Sequence, residues 1–268
     1  MQQILAALDL TAHGDRVFDR AAQLAAQHRA HLTLLHVAEE TAPDLKALEA
    51  AFGAYVRAEG QTADIRIETG DPGAQIASAA CEIKANLVVV GLQHHHPVAD
   101  FFLSSVVQAT IRQCVAPMLV AVNRVTGPYR RVLVATDFSP CARRAFHAGV
   151  NLAPDAAFEI LHVYETPFPA FVKFNAEELR DYEHARRAQI EADIQEELAA
   201  LIQEGGKALK AVPRIVRGET SGGIFETVRQ IHPDFLAMGL SGHGFAALTG
   251  SRTLDFLNAP SCDLLVVP

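Results

Sequence analysis

Residues 4–9 read ILAALD and residues 132–137 read VLVATD, two short apolar runs that each close on an aspartate. The same series follows both. A helical pattern leads to a strand ending in LHV, at residues 35–37 and again at 161–163. Later an apolar strand closes on glycine, LVVVG to Gly91 and FLAMG to Gly239. The 268 residues are therefore one α/β unit written twice. Each copy is near the commonest domain size.

In the first copy, strands are expected at residues 4–8, 32–37, 65–67, 87–90 and 118–122. In the second they are expected at 132–136, 159–163, 212–216, 235–238 and 264–267. Continuous apolar runs of this length suit parallel strands covered on both faces. Val17, Phe18, Ala21, Leu24 and Ala25 recur at helical spacing between them, as do Ile76, Ala79, Ala80 and Ile83. Alternating strand and helix implies βαβ crossovers and doubly wound, mainly parallel five-stranded α/β sheets. Thr126-Gly127-Pro128 is a turn signal, so the domains are expected at 1–125 and 130–268. The linker is short, and the halves should sit against each other. The second domain carries an insertion, a helix over 177–206 with Leu179, Tyr182, Ile190, Ile194, Leu198 and Leu201 on one face. Before it, Phe168, Phe171 and Phe174 are read as packing on that helix, with an interaction patch as the alternative.

A formal net charge of −8 argues against nucleic acid as the main partner. Arg143, Arg144, Arg186 and Arg187 read as solvated helix faces. Cys81, Cys114, Cys141 and Cys262 show no metal spacing and read as buried reduced thiols. The opening MQQILAALD has no signal-peptide character. No apolar run approaches the roughly 18 residues that span a bilayer. No membrane role and a cytoplasmic location are expected.

In doubly wound sheets ligands sit beyond the carboxyl ends of the strands, which directs attention to Asp137, Val163, Gly218 and Gly239. Gly239-Leu240-Ser241-Gly242-His243-Gly244, followed by Gly250-Ser251 before a helical pattern, has the composition of a loop whose backbone amides cradle a phosphate. The first copy continues instead LQHHHPVADFFLSS. Other signatures fail: Gly205-Gly206-Lys207 lacks the P-loop spacing, and His243 stands where a nucleophile elbow needs glycine. Gly242-x-Gly244-x-x-Ala247 follows the wrong strand for a dinucleotide fingerprint.

These residues are where a family likeness enters. ALDLT and ATDFSP, both LHV ends, the turns at Gly70 and Gly218, and the closing QCVAPMLVAV and NAPSCDLLVVP resemble a tandem universal stress protein, over nearly the whole chain. The resemblance implies the adenine nucleotide alpha hydrolase-like fold and, in many members, ATP binding through a GxxG…GS loop. Carried over, Gly239, Gly242, Gly250 and Ser251 would contact phosphates and ribose. Asp137, at the end of Ala135-Thr136-Asp137, would face the ribose, and the Val163 backbone the adenine. The implied cofactor is ATP or another adenine nucleotide, with or without magnesium. Seven residues, 243–249, separate Gly242 from Gly250, two fewer than in the family form.

The first copy keeps Asp9, Val37 and Gly91, but His94 and Ser104 take two glycine positions and Ser105 the serine position. A left-handed backbone at His94 would cost about 1–2 kcal/mol. This copy resembles members of the family that do not bind ATP. His94-His95-His96, accompanied only by Asp100, reads as a loop and not as a metal site. His36 and His162, at matching strand positions, should bond to backbone. No residue set supports catalysis beyond slow ATP hydrolysis. A stress-response regulator with one nucleotide site is the leading reading, and a pure interaction protein with an unknown protein partner the alternative. Family members commonly pair their last strands. Here the two copies could do so within one chain, as an intramolecular pseudo-dimer, and a homodimer of whole chains stays open.

Overall fold

The computed structural model describes residues 1–8, 14–38, 44–58, 62–91, 110, 114–164, 176–205, 209–240 and 260–268. The first half runs β1 (Gln3–Ala7), α1 (Gly14–His28), β2 (His31–Ala38), α2 (Leu45–Ala58), β3 (Asp64–Thr69), α3 (Pro72–Glu82), β4 (Leu87–Gly91) and β5 (Met118–Ala121). The second runs β6 (Arg131–Ala135), α4 (Pro140–Leu152), β7 (Ala157–Tyr164), α5 (Ala176–Gly205), β8 (Ala211–Arg217), α6 (Thr220–Ile231), β9 (Phe235–Gly239) and β10 (Asp263–Val267). The described strands form one sheet in the order β3-β2-β1-β4-β5-β10-β9-β6-β7-β8. Every neighbouring pair is parallel except β5 with β10, which are antiparallel with Leu264 opposite Val120. The carboxyl ends of the two half-sheets therefore face opposite edges.

The continuous apolar runs are explained by burial on both faces. On one face Ile4, Val132 and Phe235 meet Phe18 of α1, Phe146 of α4 and Ile190 of α5. On the other, Leu5, Leu133 and Leu236 meet Ile76 of α3 and Val228 of α6. Three of the described helices open on side-chain caps. Asp71 and Ser139 cap α3 and α4, accepting from Ala74 N at 2.8 Å and Ala142 N at 3.2 Å, each followed by proline in the first turn. Glu219 caps α6 by accepting from Ser221 N and Gly222 N.

The repetition extends to single hydrogen bonds. Leu8 N donates to Leu35 O, and Thr136 N to Leu161 O, both at 2.8 Å. His36 Nδ1 donates to Leu8 O, and His162 Nδ1 to Thr136 O, again both at 2.8 Å, as their strand positions suggest. Arg16 reaches Val122 O at the end of β5, and Arg144 reaches Pro268 O at the end of β10. Gly70 and Gly218 take φ of +120° and +147° in the turns before α3 and α6, a backbone that favours glycine.

Three expectations need correction. Cys81 is exposed, while Cys114, Cys141 and Cys262 are buried. Arg144 is not simply solvated: it is exposed but bonded to Pro268 O and to Cys141 Sγ. Tyr182 does not lie on a covered face of α5 but is exposed, whereas Ile190 and Ile194 are buried. The reason is length. A helix of 30 residues spans about 45 Å, and an 8-residue strand such as β7 spans about 27 Å, so a strand cannot cover the whole length of α5. Phe168, Phe171, Phe174 and the His94–His96 run lie outside the described residues.

Candidate functional site

The carboxyl ends of β6, β7 and β9 are adjacent in the sheet, so Ala135, Thr136, Asp137, Val163 and Gly239 share one edge. Gly242, Gly250 and Ser251 follow β9 and lie outside the described residues. The direction of the connections reverses between β6 and β9, which makes this the switch point where doubly wound sheets open a crevice.

The loop after β6 is fixed by its own side chains. Thr136 Oγ1 accepts from Phe138 N at 3.1 Å and Asp137 Oδ1 from Ser139 N at 3.0 Å. Together they hold Phe138 at φ +63°, left-handed for a residue with a side chain. The Phe138 ring stacks on His162, with centroids 4.6 Å apart and planes 28° off parallel. The carbonyl of Thr136 can only accept, so Nδ1 of His162 carries the proton and Nε2 of the neutral ring is bare. Burial lowers the His162 pKa below its usual value, against the hydrogen bond to Thr136 and the charge of Asp137. The sequence reading missed Phe138; a non-glycine left-handed residue has no local signature beyond the asparagine-like turn chemistry around it.

Gly239 is required by close approach. A Cβ there would stand 2.5 Å from Cys141 C and 2.7 Å from Ala142 N, backbone atoms in the first turn of α4. Among the described residues, the matching Gly91 meets the tip of a side chain, Val17 Cγ2, at 2.8 Å. The two glycines occupy the same place in the repeat, and the contacts of Gly239 fall on backbone. In the second half the positive end of α4 is pressed against the strand from which the glycine-rich loop departs. Gly223 does similar work on the opposite face: a Cβ there would meet Val163 Cγ1 at 2.7 Å, so α6 rides close over the end of β7.

The edge offers a carboxylate, backbone groups and a helix start, which suit a ligand with hydroxyl and anionic groups. Among the described residues, no group of three or more His, Cys, Asp or Glu could hold a metal ion. No described helix is long and apolar enough to cross a membrane. A groove of about 380 Å³, lined by residues such as Arg131, Phe158, Lys210 and Val212, lies at the amino ends of β6 to β8 and so is separate from the strand-end edge. In the first half, Val37 and Gly91 hold the corresponding places, and Asp9, His94, Ser104 and Ser105 lie outside the described residues.

The model of the universal stress protein family matches residues 1–54, 40–122 and 128–268. Among solved structures, the chain is similar to a functionally unknown protein from Pseudomonas aeruginosa PAO1, at 19% identity and a TM-score of 0.67, covering 100% of this chain and 92% of that one. It is also similar to a universal stress protein from Archaeoglobus fulgidus DSM 4304, at 17% identity and a TM-score of 0.62, covering 99% and 95%. A universal stress protein solved in complex with cAMP matches 46% of this chain and 95% of its own, at 26% identity and a TM-score of 0.37. No curated protein matches significantly.

Proposed function

Because the chain belongs to the universal stress protein family, we propose that it is a stress-response regulator whose second domain, residues 130–268, binds an adenine nucleotide, while the first, residues 1–125, does not. The observation that carries this reading is Gly239. Its missing side chain lets the start of α4 close on β9, beside Asp137 and ahead of the glycine-containing loop. In the proposed complex Asp137 accepts from ribose hydroxyls, the Val163 backbone meets the base, and Gly242, Gly250 and Ser251 hold phosphates, with magnesium where ATP brings it. The role is binding and signalling, since no nucleophile and base stand paired among the described site residues. The antiparallel contact of β5 and β10 supports reading the two domains as an intramolecular pseudo-dimer.

Calorimetric titration of the intact chain with ATP and magnesium tests the reading. Binding should appear, vanish in Gly242→Val and persist in Ser104→Leu. Equal loss in both variants would refute the asymmetry between domains. No heat at millimolar ATP would refute nucleotide binding and leave an interaction protein.

A further inference from the structure

Strands β5 and β10 carry an unsolved problem of register if only their own residues are considered. Met118–Ala121 and Asp263–Val267 are buried, and apart from Asp263 they are apolar on both faces. Sliding such strands past each other by one or two residues exchanges one apolar contact for another, so hydrophobic pattern scarcely selects an alignment.

Asp263 breaks that indifference. It is fully buried at the start of β10. Its Oδ1 accepts from Val122 N at 2.8 Å and Asn123 N at 3.0 Å, just past the end of β5. Its Oδ2 accepts from Tyr129 Oη at 2.6 Å. Arg20 of α1, also buried, sets Nε 3.3 Å from the same Oδ2, a charge contact without hydrogen-bond geometry. The guanidinium lies 4.0 Å above the Tyr129 ring centroid, and its Nη1 donates to Gly127 O at 3.2 Å. Burial and the Asp263 charge hold the Tyr129 phenol well above its usual pKa, so it remains a donor.

The cluster occurs once, although the fold around it occurs twice. Pairing of β4 with β5 and of β9 with β10 makes Pro117 the counterpart of Asp263. Matching Phe18 with Phe146, as the flanking hydrogen bonds require, makes Ala148 the counterpart of Arg20. A β10 strand aligned on another copy's β10 would put Asp263 against Pro268, which has no N–H, and Ala148. A β5 strand aligned on another β5 would leave Arg20 facing Pro117. Either arrangement buries a charge without a counter-charge, which is strongly unfavourable.

We propose that Arg20, Tyr129 and Asp263 form a lock that fixes both the register of β5 against β10 and the identity of the pair, first repeat with second. Single polar groups buried in otherwise apolar seams set register in the same way in coiled coils. A slip of β10 would carry the whole second half-sheet along β5, so the lock also fixes how the two strand-end edges are placed relative to each other.

The test uses the full chain with Arg20→Met, Asp263→Leu and the double variant, read by amide hydrogen exchange and cross-strand amide NOEs of β5 and β10. Each single variant strands the other charge, and exchange at Val122 and Asn123 should accelerate at least a hundredfold. The double variant should recover most protection in the rest of the sheet. It should also show more than one set of β5 and β10 signals, or NOEs displaced from the Val120–Leu264 alignment. Should either single variant fail to fold, the double variant decides alone. The proposal is overturned if the double variant keeps one set of signals with the original alignment, or if the single variants exchange within threefold of the unsubstituted chain.

Discussion

Replacing Gly239 by alanine adds one methyl group, and the structure says what it strikes. The new Cβ would lie 2.5 Å from Cys141 C and 2.7 Å from both Ala142 N and Cys141 Cβ. Comfortable carbon contacts are about 3.5–4.0 Å, so the overlap approaches an ångström and falls on backbone. The backbone is not free to yield, because Ser139 caps α4 and Arg144 ties it to Pro268 O. Overpacking typically costs about 1–3 kcal/mol, and rigid neighbours place Gly239→Ala near 3. Among the described residues, Gly91→Ala meets a valine methyl at 2.8 Å, which a small side-chain shift relieves. Its cost, about 1 kcal/mol, is offset by the roughly 0.4–1 kcal/mol that alanine gains by restricting the unfolded chain. In a chain of this size each kcal/mol moves Tm by about 2–4 °C. Calorimetric melting without ligand should therefore show Gly239→Ala lower by about 6–12 °C and Gly91→Ala nearly unchanged. Equal shifts in the two variants, or a Gly239→Ala melt within about 2 °C of the parent, would refute the close-approach argument.

Burial lowers the His162 pKa from its usual 6.5, so the folded state binds that proton less readily than the unfolded one. Stability from this site is complete above pH 6.5 and is lost as pH falls below it. His162→Asn, whose amide can still donate to Thr136 O, should flatten that part of the stability profile in denaturant titrations; parallel acid limbs would count against the assignment. Cys81 is exposed, while burial raises the Cys114 thiol pKa and pushes that of Cys262 up to about 12. Thiol titration of the native protein near pH 8 should therefore find Cys81 reacting fast and Cys114 and Cys262 only on unfolding; rapid reaction of Cys262 would mean its burial is wrong.

Much of the architecture was legible because it rests on local chemistry. Apolar runs marked every strand of the sheet, with ends misplaced by one or two residues because ladder bonds, not side chains, set where a strand stops. Ser139-Pro140 and Asp71-Pro72 open α4 and α3 through cap and first-turn preferences, a local signal that the reading of the sequence left unused. The strand-end edge holding Asp137, Val163 and Gly239 followed from topology alone. Tyr182 was misjudged because helical spacing reports which residues share a face and not how far the sheet extends beneath it.

By itself, then, the sequence determined the duplicated α/β plan, the linker and the contrast between the two loops, all properties of spacing within a few residues. The tertiary structure alone decided why Gly239 tolerates no side chain, since the answer lies on the neighbouring helix. It also decided that Asp263, which reads as an unremarkable acid at a strand start, is buried among Val122, Asn123, Tyr129 and Arg20. Its amide and phenol donors lie 134 to 141 positions away in the chain. Whether a buried charge is compensated depends on such distant neighbours, which periodicity and local propensity do not encode.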